Sequence, residues 1–505
     1  VPTRLRPGQQ RALASLGTAV AVVAGVVLRF VTTSPLWLDE AQTARIASLP
    51  LGRIADTLRH HDGHPPLYYW LLHGWMDLVG HGDEAVRSLS GLFAVAALPL
   101  AWKLGDRVGG PRLARWTLVL VALSPFAVRY ATEARMYSLV MLLVLALALA
   151  LDRLLERPRP TRAVLVAVLV GALLWTHYWS LYLLAVVGGL LLVRWWRDKE
   201  VRRPTTWAIG AVVAGGVLWV PWLPSLLSQA AHTGTPWALP SRPTVVAQTT
   251  LADLGGGGYA EALLLGTLLA VFAVAAFAHS DRNPSASGPW RPLDVRVLAI
   301  VSGATLLVGS GVSYVTNGAY ASRYASVVAP LFLVVVAVGI TRLRPSWVQV
   351  GLLATGTVLV AAALGKNVVD QRTRADDEVR TILARATPHD VIVTCPDQLG
   401  PDLARVLDQH HSRLTVMAYP RGDDGRLVDW RDYEDRNDHA DPAAFAQRVL
   451  AKAAGAPIWL VTQGGYRTLV GQCEALTFFL GQARGQQPAT PFTGAFESSN
   501  LLRYP

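Results

Sequence analysis

Two adjacent carboxylates, Asp39 and Glu40, come directly after the first long apolar run, behind Ser34-Pro35-Leu36-Trp37-Leu38. Two acids at a water–lipid boundary can hold a hard cation or take a proton as a general base. They can equally be the charged start of a helix, with Asp39 capping "EAQTARIASL", and position alone leaves both readings open. In "HDGHPPLYYW" the rigid His64-Pro65-Pro66 can aim an imidazole, or simply begin the helix that follows. In "RYATEARMYSL" Glu133, Arg135 and Tyr137 fall at the end of the third apolar run. Arg135 there suits a phosphate through two parallel hydrogen bonds, or snorkels beside Glu133. Arg323 and Tyr324 in "NGAYASRYASVVAP" begin a later run and read, on their own, as an interfacial anchor. His177, Tyr178 and Trp179 read as aromatic belt. Each signal is weak singly, but a His, two Arg, several Tyr and the acids on one face together imply a polar pocket open to lipid and to the exterior.

The elements that must hold these groups are apolar. Of 505 residues 52% are hydrophobic and 16% charged, where a soluble chain carries about a quarter charged. Runs such as "LASLGTAVAVVAGVVLRFV", "LVMLLVLALALAL" and "YASVVAPLFLVVVAVGI" approach the ~20 residues that cross a bilayer core. Spans are expected near 14–33, 86–104, 114–131, 137–152, 162–177, 179–195, 206–223, 259–279, 295–315, 324–341 and 346–366, about eleven in all. The first lacks a small-residue cleavage site and reads as a true span, not a signal peptide. Alternate loops collect the basic residues: Arg4, Arg6 and Arg11; Lys103, Arg107, Arg112 and Arg115; Arg153, Arg157, Arg159 and Arg162; Arg194, Arg197, Lys199, Arg202 and Arg203; Arg282, Arg291 and Arg296; Arg342 and Arg344. By the positive-inside rule the N-terminus is cytoplasmic, and an odd number of spans puts the C-terminal part outside. The net charge of +11 therefore belongs to short loops and is not a nucleic-acid footprint.

The outer loops differ. The first, about 34–85, is long and structured, and "LYYWLLHGWMDLV" suits a helix lying in the interface. The loop near 224–258 carries "LGGGGYA", which reads as a flexible loop rather than a phosphate cradle. Beyond about 370 the pattern changes. "DVIVTC", "RLTVMAY" and "PIWLVTQ" are β-type runs, alternating with helical "DDEVRTILARA", "DLARVLDQ" and "AAFAQRVLAKAAG". They predict a small α/β domain with a parallel sheet, without a dinucleotide fingerprint or an assigned catalytic group. The expected division is a transmembrane catalytic domain over 1–366 and an extracytoplasmic α/β domain over 367–505. Both cysteines, Cys395 and Cys473, fall in the latter, where a disulfide is allowed but not required.

Asp-Glu after the first span, His-Pro-Pro in the first outer loop and "EARMY" after the third span resemble the GT-C glycosyltransferases. The likeness is to the protein O-mannosyltransferase-like and lipid A aminoarabinose transferase-like group, glycosyltransferase family 39 and its bacterial cousins. It covers about residues 14–340. The resemblance implies a GT-C fold in a bacterial inner membrane. It also implies a polyprenyl-phosphate-linked sugar donor, mannose or arabinose, and an inverting transfer to a glycan, glycolipid or protein acceptor on the outer face, in cell-envelope assembly. By the same match Asp39 is the base, with Glu40 its support or metal partner. His64 contacts donor or acceptor, Glu133 completes the acidic site, and Arg135 holds the phosphate. Arg323 adds a second phosphate contact, with Tyr137 and Tyr324 at the donor. Some members use a divalent cation (Mg, Mn or Ca), so one is an open expectation here. Val1 in place of Met fits a GTG start or a trimmed chain, and usage rich in Ala, Arg, Leu and Val and poor in Lys favours a GC-rich, actinobacterial genome. Two other classes compete: a transporter or flippase of lipid-linked sugars, and a non-catalytic membrane scaffold. The first calls for charges within spans or internal repeats, of which no clear case is found, and the second has no need of an outer acidic and basic cluster.

Overall fold

The structure, a computed structural model, describes residues 7–236, 238, 240–278, 293–316, 318–343, 346–488 and 490–505. Arg4, Arg6, Arg282, Arg291 and Arg344 of the basic loops lie outside the described residues, as does the side chain of Arg11. The chain folds as two compact units. One comprises Val1–Thr32, Arg87–Leu223 and Pro240–Val368; the other comprises Thr33–Val86, Pro224–Leu239 and Val369–Pro505.

The first unit is helical. Among the described residues six helices are long and apolar enough to cross a membrane: Asp83–Leu123, Tyr137–Glu156, Ser180–Arg197, Arg202–His232, Val295–Val315 and Trp347–Val369. The shorter apolar helices Ala12–Leu28, Pro160–Thr176, Ala260–Ala275 and Ala329–Arg342 lie on other expected spans. Of the 18-residue apolar window in Trp347–Val369 only 6% is buried, and apolar surface of that extent is stable in lipid rather than water. The second and third expected spans share Asp83–Leu123, which breaks at Gly109 and Gly110. Gly110 takes φ 77°, which glycine reaches without a Cβ clash, and Pro111 restarts the helix with its missing N–H at the first turn. The third expected span is itself divided. Its second piece, Pro125–Ala131, is capped by Ser124, whose Oγ accepts from the Ala127 N–H at 3.2 Å. Buried Arg29 closes the end of the first piece, donating to the carbonyls of Ala122 at 2.6 Å and Val121 at 2.7 Å, which have no partner within their own helix. The glycine run is a tight corner between Pro243–Leu254 and Ala260–Ala275, with Gly256 at φ 112° and Gly257 at φ 138°.

The second unit holds the sheet. Strands β1 (Val391–Cys395), β2 (Thr415–Ala418), β3 (Ile458–Thr462), β4 (Thr490–Phe492) and β5 (Ser499–Tyr504) are ordered β2-β1-β3-β5-β4. The three expected strands pair in parallel, β1 with β2 and β1 with β3. The sheet as a whole is mixed and not parallel, because β5 runs antiparallel to both β3 and β4. The three expected helices form as Ala375–Leu383, Gly400–Gln409 and Pro442–Ala453. Alternation along β1 sends Val391, Val393 and Cys395 into a core with Phe445, Val449 and Leu476, and Ile392 into one with Val379, Ile382 and Leu403. Helices therefore cover both faces. Cys395, ending β1, is disulfide-bonded to Cys473 on Gln472–Arg484 across 78 residues. In the chain-entropy view a loop of that length contributes about 4 kcal/mol.

Residues 33–86 fold with this sheet. Leu36 donates its N–H to Asp83, and Arg405 and Gln409 both bond Asp83 Oδ1, at 2.8 and 2.9 Å. The Trp37 and Phe496 rings meet edge to face at 5.3 Å. Gln42 accepts the Val428 N–H at 3.0 Å, and Trp430 donates its N–H to His61. From the third segment, Gln229 donates to the carbonyls of Leu58 and Asp62, and Arg467 bonds the Pro236 carbonyl. The expected interfacial helix forms as Leu67–Val79 directly behind Pro66, with Tyr68, Tyr69, Leu72 and Met76 buried.

Candidate active site

The two units supply the candidate residues separately. In the second, helix Leu38–Ala47 begins at Trp37, with Asp39 and Glu40 in its first turn. The N-cap position is Trp37 and not Asp39, and the two acids stand in the first turn, where a charged helix start also places them. The Leu38 N–H is instead taken by both carboxylate oxygens of Glu497, at 3.3 Å each. Asp39 is half-buried, whereas Glu40 is fully buried against Arg372, whose Nη1 lies 3.6 Å from Oε2. Arg372 is fixed in turn, its N–H on Ser34 Oγ at 2.9 Å and its carbonyl accepting from Glu497 N–H at 2.8 Å. Beneath this turn Asp402 accepts from Thr373 Oγ1 and from the Leu403 N–H. Burial pushes the Asp402 carboxyl up to about 6. Glu497 is driven well above the usual carboxylate range by burial first and then by Asp402, because two acids deprived of water disfavour a second negative charge.

His64 is held by Asp62. Nδ1 lies 2.5 Å from Asp62 Oδ1, and Asp62 also accepts from the Gly63 N–H at 2.6 Å and from Gln42 Nε2 at 3.0 Å. The carboxylate fixes the tautomer with hydrogen on Nδ1, so Nε2 is the accepting position. Gln42 lies on the same helix as Asp39 and Glu40, so one hydrogen-bonded chain ties that helix to the imidazole.

In the helical unit residues 132–136 form a short buried link between Pro125–Ala131 and Tyr137–Glu156. Glu133 pairs with Arg129 at 3.4 Å. Arg135 is 3% exposed, and its carbonyl accepts from Ser90 Oγ at 3.0 Å. The Tyr137 ring lies 4.9 Å from Tyr130 and 5.8 Å from His177; His177 lies 5.4 Å from Tyr324, and Trp179 stacks on Tyr324 at 5.3 Å. His177 and Trp179 are therefore buried parts of an aromatic cluster and not a lipid-facing belt. Asp253 is the hub: Tyr130 donates to it at 2.7 Å, Ser322 bonds it, and Arg129 and Arg323 act on it by charge.

The structure thus gathers Glu133, Tyr137, Arg323 and Tyr324 through Arg129, His177 and Asp253, with Arg135 on the same link. It gathers Asp39, Glu40 and His64 through Gln42, Asp62 and Arg372. Sequence reading missed Asp62, Asp253, Arg372 and Glu497. Only Asp62 left a trace, two residues before the histidine it orients. Among the described residues no group of three or more His, Cys, Asp or Glu side chains is arranged to hold a metal. Glu40 lies beside Arg372 and Glu133 beside Arg129.

Residues 63–223 match the sequence profile of the family described as dolichyl-phosphate-mannose-protein mannosyltransferase. The match includes His64, Glu133, Arg135 and Tyr137 and leaves out Asp39, Glu40, Arg323 and Tyr324. No curated protein sequence matches the chain. Among solved structures, apo ArnT from Cupriavidus metallidurans aligns with a TM-score of 0.62 at 14% identity, over 98% of both chains. ArnT bound to undecaprenyl phosphate aligns with a TM-score of 0.58, also at 14% identity and over 98% of each chain. The archaeal oligosaccharyltransferase AglB from Archaeoglobus fulgidus, in complex with an inhibitory peptide and a dolichol-phosphate, aligns at 0.52 with 11% identity, over 95% of this chain and 74% of its own. The chain has the GT-C fold, the architecture of membrane-embedded, multi-pass glycosyltransferases.

Proposed function

We propose that the protein is an inverting glycosyltransferase that moves a sugar from a polyprenyl-phosphate donor to an acceptor on the outer face of a bacterial inner membrane. The observation that carries this reading is the divided fate of the acid pair. On a chain with the GT-C fold, Asp39 is only partly buried in the first turn of its helix, while Glu40 beside it is fully buried with Arg372 Nη1 3.6 Å away. An inverting displacement asks for one base in line behind the anomeric carbon, and Asp39, the less buried of the two acids, takes that place while Glu40 holds the turn.

The acceptor hydroxyl oxygen forms a bond to the anomeric carbon as the bond from that carbon to the donor's phosphate oxygen breaks. The hydroxyl proton passes to Asp39, and the bonding pair leaves with the polyprenyl phosphate. Arg135 and Arg323 offset the charge that grows on the leaving phosphate. His64, oriented by Asp62, hydrogen-bonds donor or acceptor through Nε2. Tyr137 and Tyr324 stand at the donor within the aromatic cluster. Mannose is favoured by the family profile, and arabinose is the other sugar to test. No step is assigned to a divalent cation. The Cys395–Cys473 disulfide supports an oxidising, extracytoplasmic setting for its unit, and the basic loops support a cytoplasmic N-terminus.

The test is a transfer assay in membranes containing the full chain, with radiolabelled polyprenyl-phosphate mannose and, separately, arabinose. Chain-dependent release of polyprenyl phosphate with label in a new product is expected. Donor that crosses the bilayer intact without transfer would make the protein a flippase and overturn the reading.

A further inference from the structure

Helices Pro160–Thr176 and Arg202–Trp219 are joined through Ser180–Arg197, which runs back between them, so their N-termini lie at the same end. They approach closely: a Cβ at Gly215 would stand 2.6 Å from the Ala167 carbonyl oxygen. Beside that contact an apolar groove of about 380 Å³ follows the pair. Ala167 and Ala211 are buried in its lining, while Val164, Trp207 and Gly210 are exposed. A Cβ at Gly210 would meet nothing within 4 Å, so the space there is open.

The lining begins about one turn inside both helix ends. At those ends stand Arg159, flanking the first helix, and Arg202 and Arg203, opening the second. Arg202 is engaged, donating to the Trp195 carbonyl and lying 4.9 Å from the Trp195 ring centroid. Arg162 is engaged on the carbonyls of Arg153 and Arg157. Arg159 and Arg203 are exposed and have no ion-pair partner among the described residues. Two parallel helices also bring two positive dipole ends to one place. An apolar channel that ends in fixed positive charge matches a lipid with a hydrocarbon tail and an anionic phosphate head.

We propose that this groove binds an anionic glycerophospholipid of the adjoining leaflet, one acyl chain along Ala167, Ala211 and Gly210 and the phosphate at the paired helix ends beside Arg159 and Arg203. The site is separate from the residues assigned to sugar transfer and does not rest on that assignment. A neutral lipid gains the same apolar contact but not the charge, so selectivity for the head is the signature. Each guanidinium near an anionic head is worth about fivefold in affinity.

The experiment is native mass spectrometry of the full chain, released from nanodiscs of equimolar phosphatidylglycerol and phosphatidylcholine. Retention of one phosphatidylglycerol in preference to phosphatidylcholine is expected, by about fivefold or more. Arg159→Gln with Arg203→Gln should abolish the preference while some lipid remains. Gly210→Leu should fill the groove and remove the retained lipid, with the helical circular dichroism and melting temperature kept. Equal retention of the two lipids, or unchanged phosphatidylglycerol in Gly210→Leu, would overturn the proposal. So would a dimer that Gly210→Leu converts to monomer, since the groove would then be an interface between copies of this chain.

Discussion

Asp39 and Glu40 are neighbours that differ in burial, and the difference sets what each substitution does. Asp39→Asn keeps the size and hydrogen-bonding capacity of the side chain but cannot accept the acceptor's proton. Transfer is expected to slow by about 10²–10⁴-fold with donor binding retained, measured as single-turnover release of polyprenyl phosphate. Near-normal turnover would pass the role of base to another acid. Arg135→Ala is expected to weaken donor binding and slow transfer, and Arg135→Lys to restore only part, since an ammonium lacks the planar fork that meets a phosphate twice. An unchanged donor titration in Arg135→Ala would reduce Arg135 to a packing residue. Asp62→Asn tests positioning. It should lower the maximal rate and shift the pH profile, because the amide no longer sets the His64 tautomer, whereas a purely structural Asp62 would leave the profile unmoved. Asp39, Glu40, His64 and Arg135 could be singled out as candidates because each stands next to a span end or a proline pair. Arg372 and Glu497 could not, because they reach the same turn from hundreds of residues away and carry no local pattern.

Among the elements, the three parallel strands were legible as short β-branched runs between amphipathic helices. The hairpin of β4 and β5 was not: β4 is three residues long with a proline at its centre, and proline argues against a strand when only local sequence is read. That hairpin carries Glu497 and Ser499 into a group of buried acids. Ser499 donates to Glu378, and Tyr433 donates to Asp397 at 2.5 Å. Burial pushes both Glu378 and Asp397 up to about 7, alongside Asp402 at about 6. The unfolded chain ionises such groups near ~4, so the folded unit binds more protons between those values. Its stability is then fully present below about pH 4 and is lost as pH rises through about 6 to 7, by up to about 1.4 kcal/mol per pH unit for each group. Hydrogen-exchange protection of β1 and β3, corrected for intrinsic rates, is expected to be higher at pH 5 than at pH 8. Equal protection would mean that these acids are ionised in the fold.

At the scale of the whole molecule, hydrophobic run length announced the membrane-embedded helices, while the membership of each unit depended on contacts no window of sequence contains. A reporter active only outside the cytoplasm, fused after Tyr419, is expected to be active; activity of a cytoplasm-specific reporter there would overturn both the topology and the outward-facing chemistry. Leu38 and its partner Glu497 are 459 residues apart, and this spacing has a consequence for synthesis. At roughly 5–20 residues per second a ribosome needs about 20–90 seconds to go from one to the other. During that interval Leu36 and Trp37, only 1% and 5% exposed in the finished protein, have no sheet to cover them, and the helix that bears Asp39 has no carboxylate on its first amide. Asp39 and Glu40 are therefore among the first residues made and their turn among the last completed, so a message truncated before residue 497 leaves both translated and the first amide of their helix without its carboxylate.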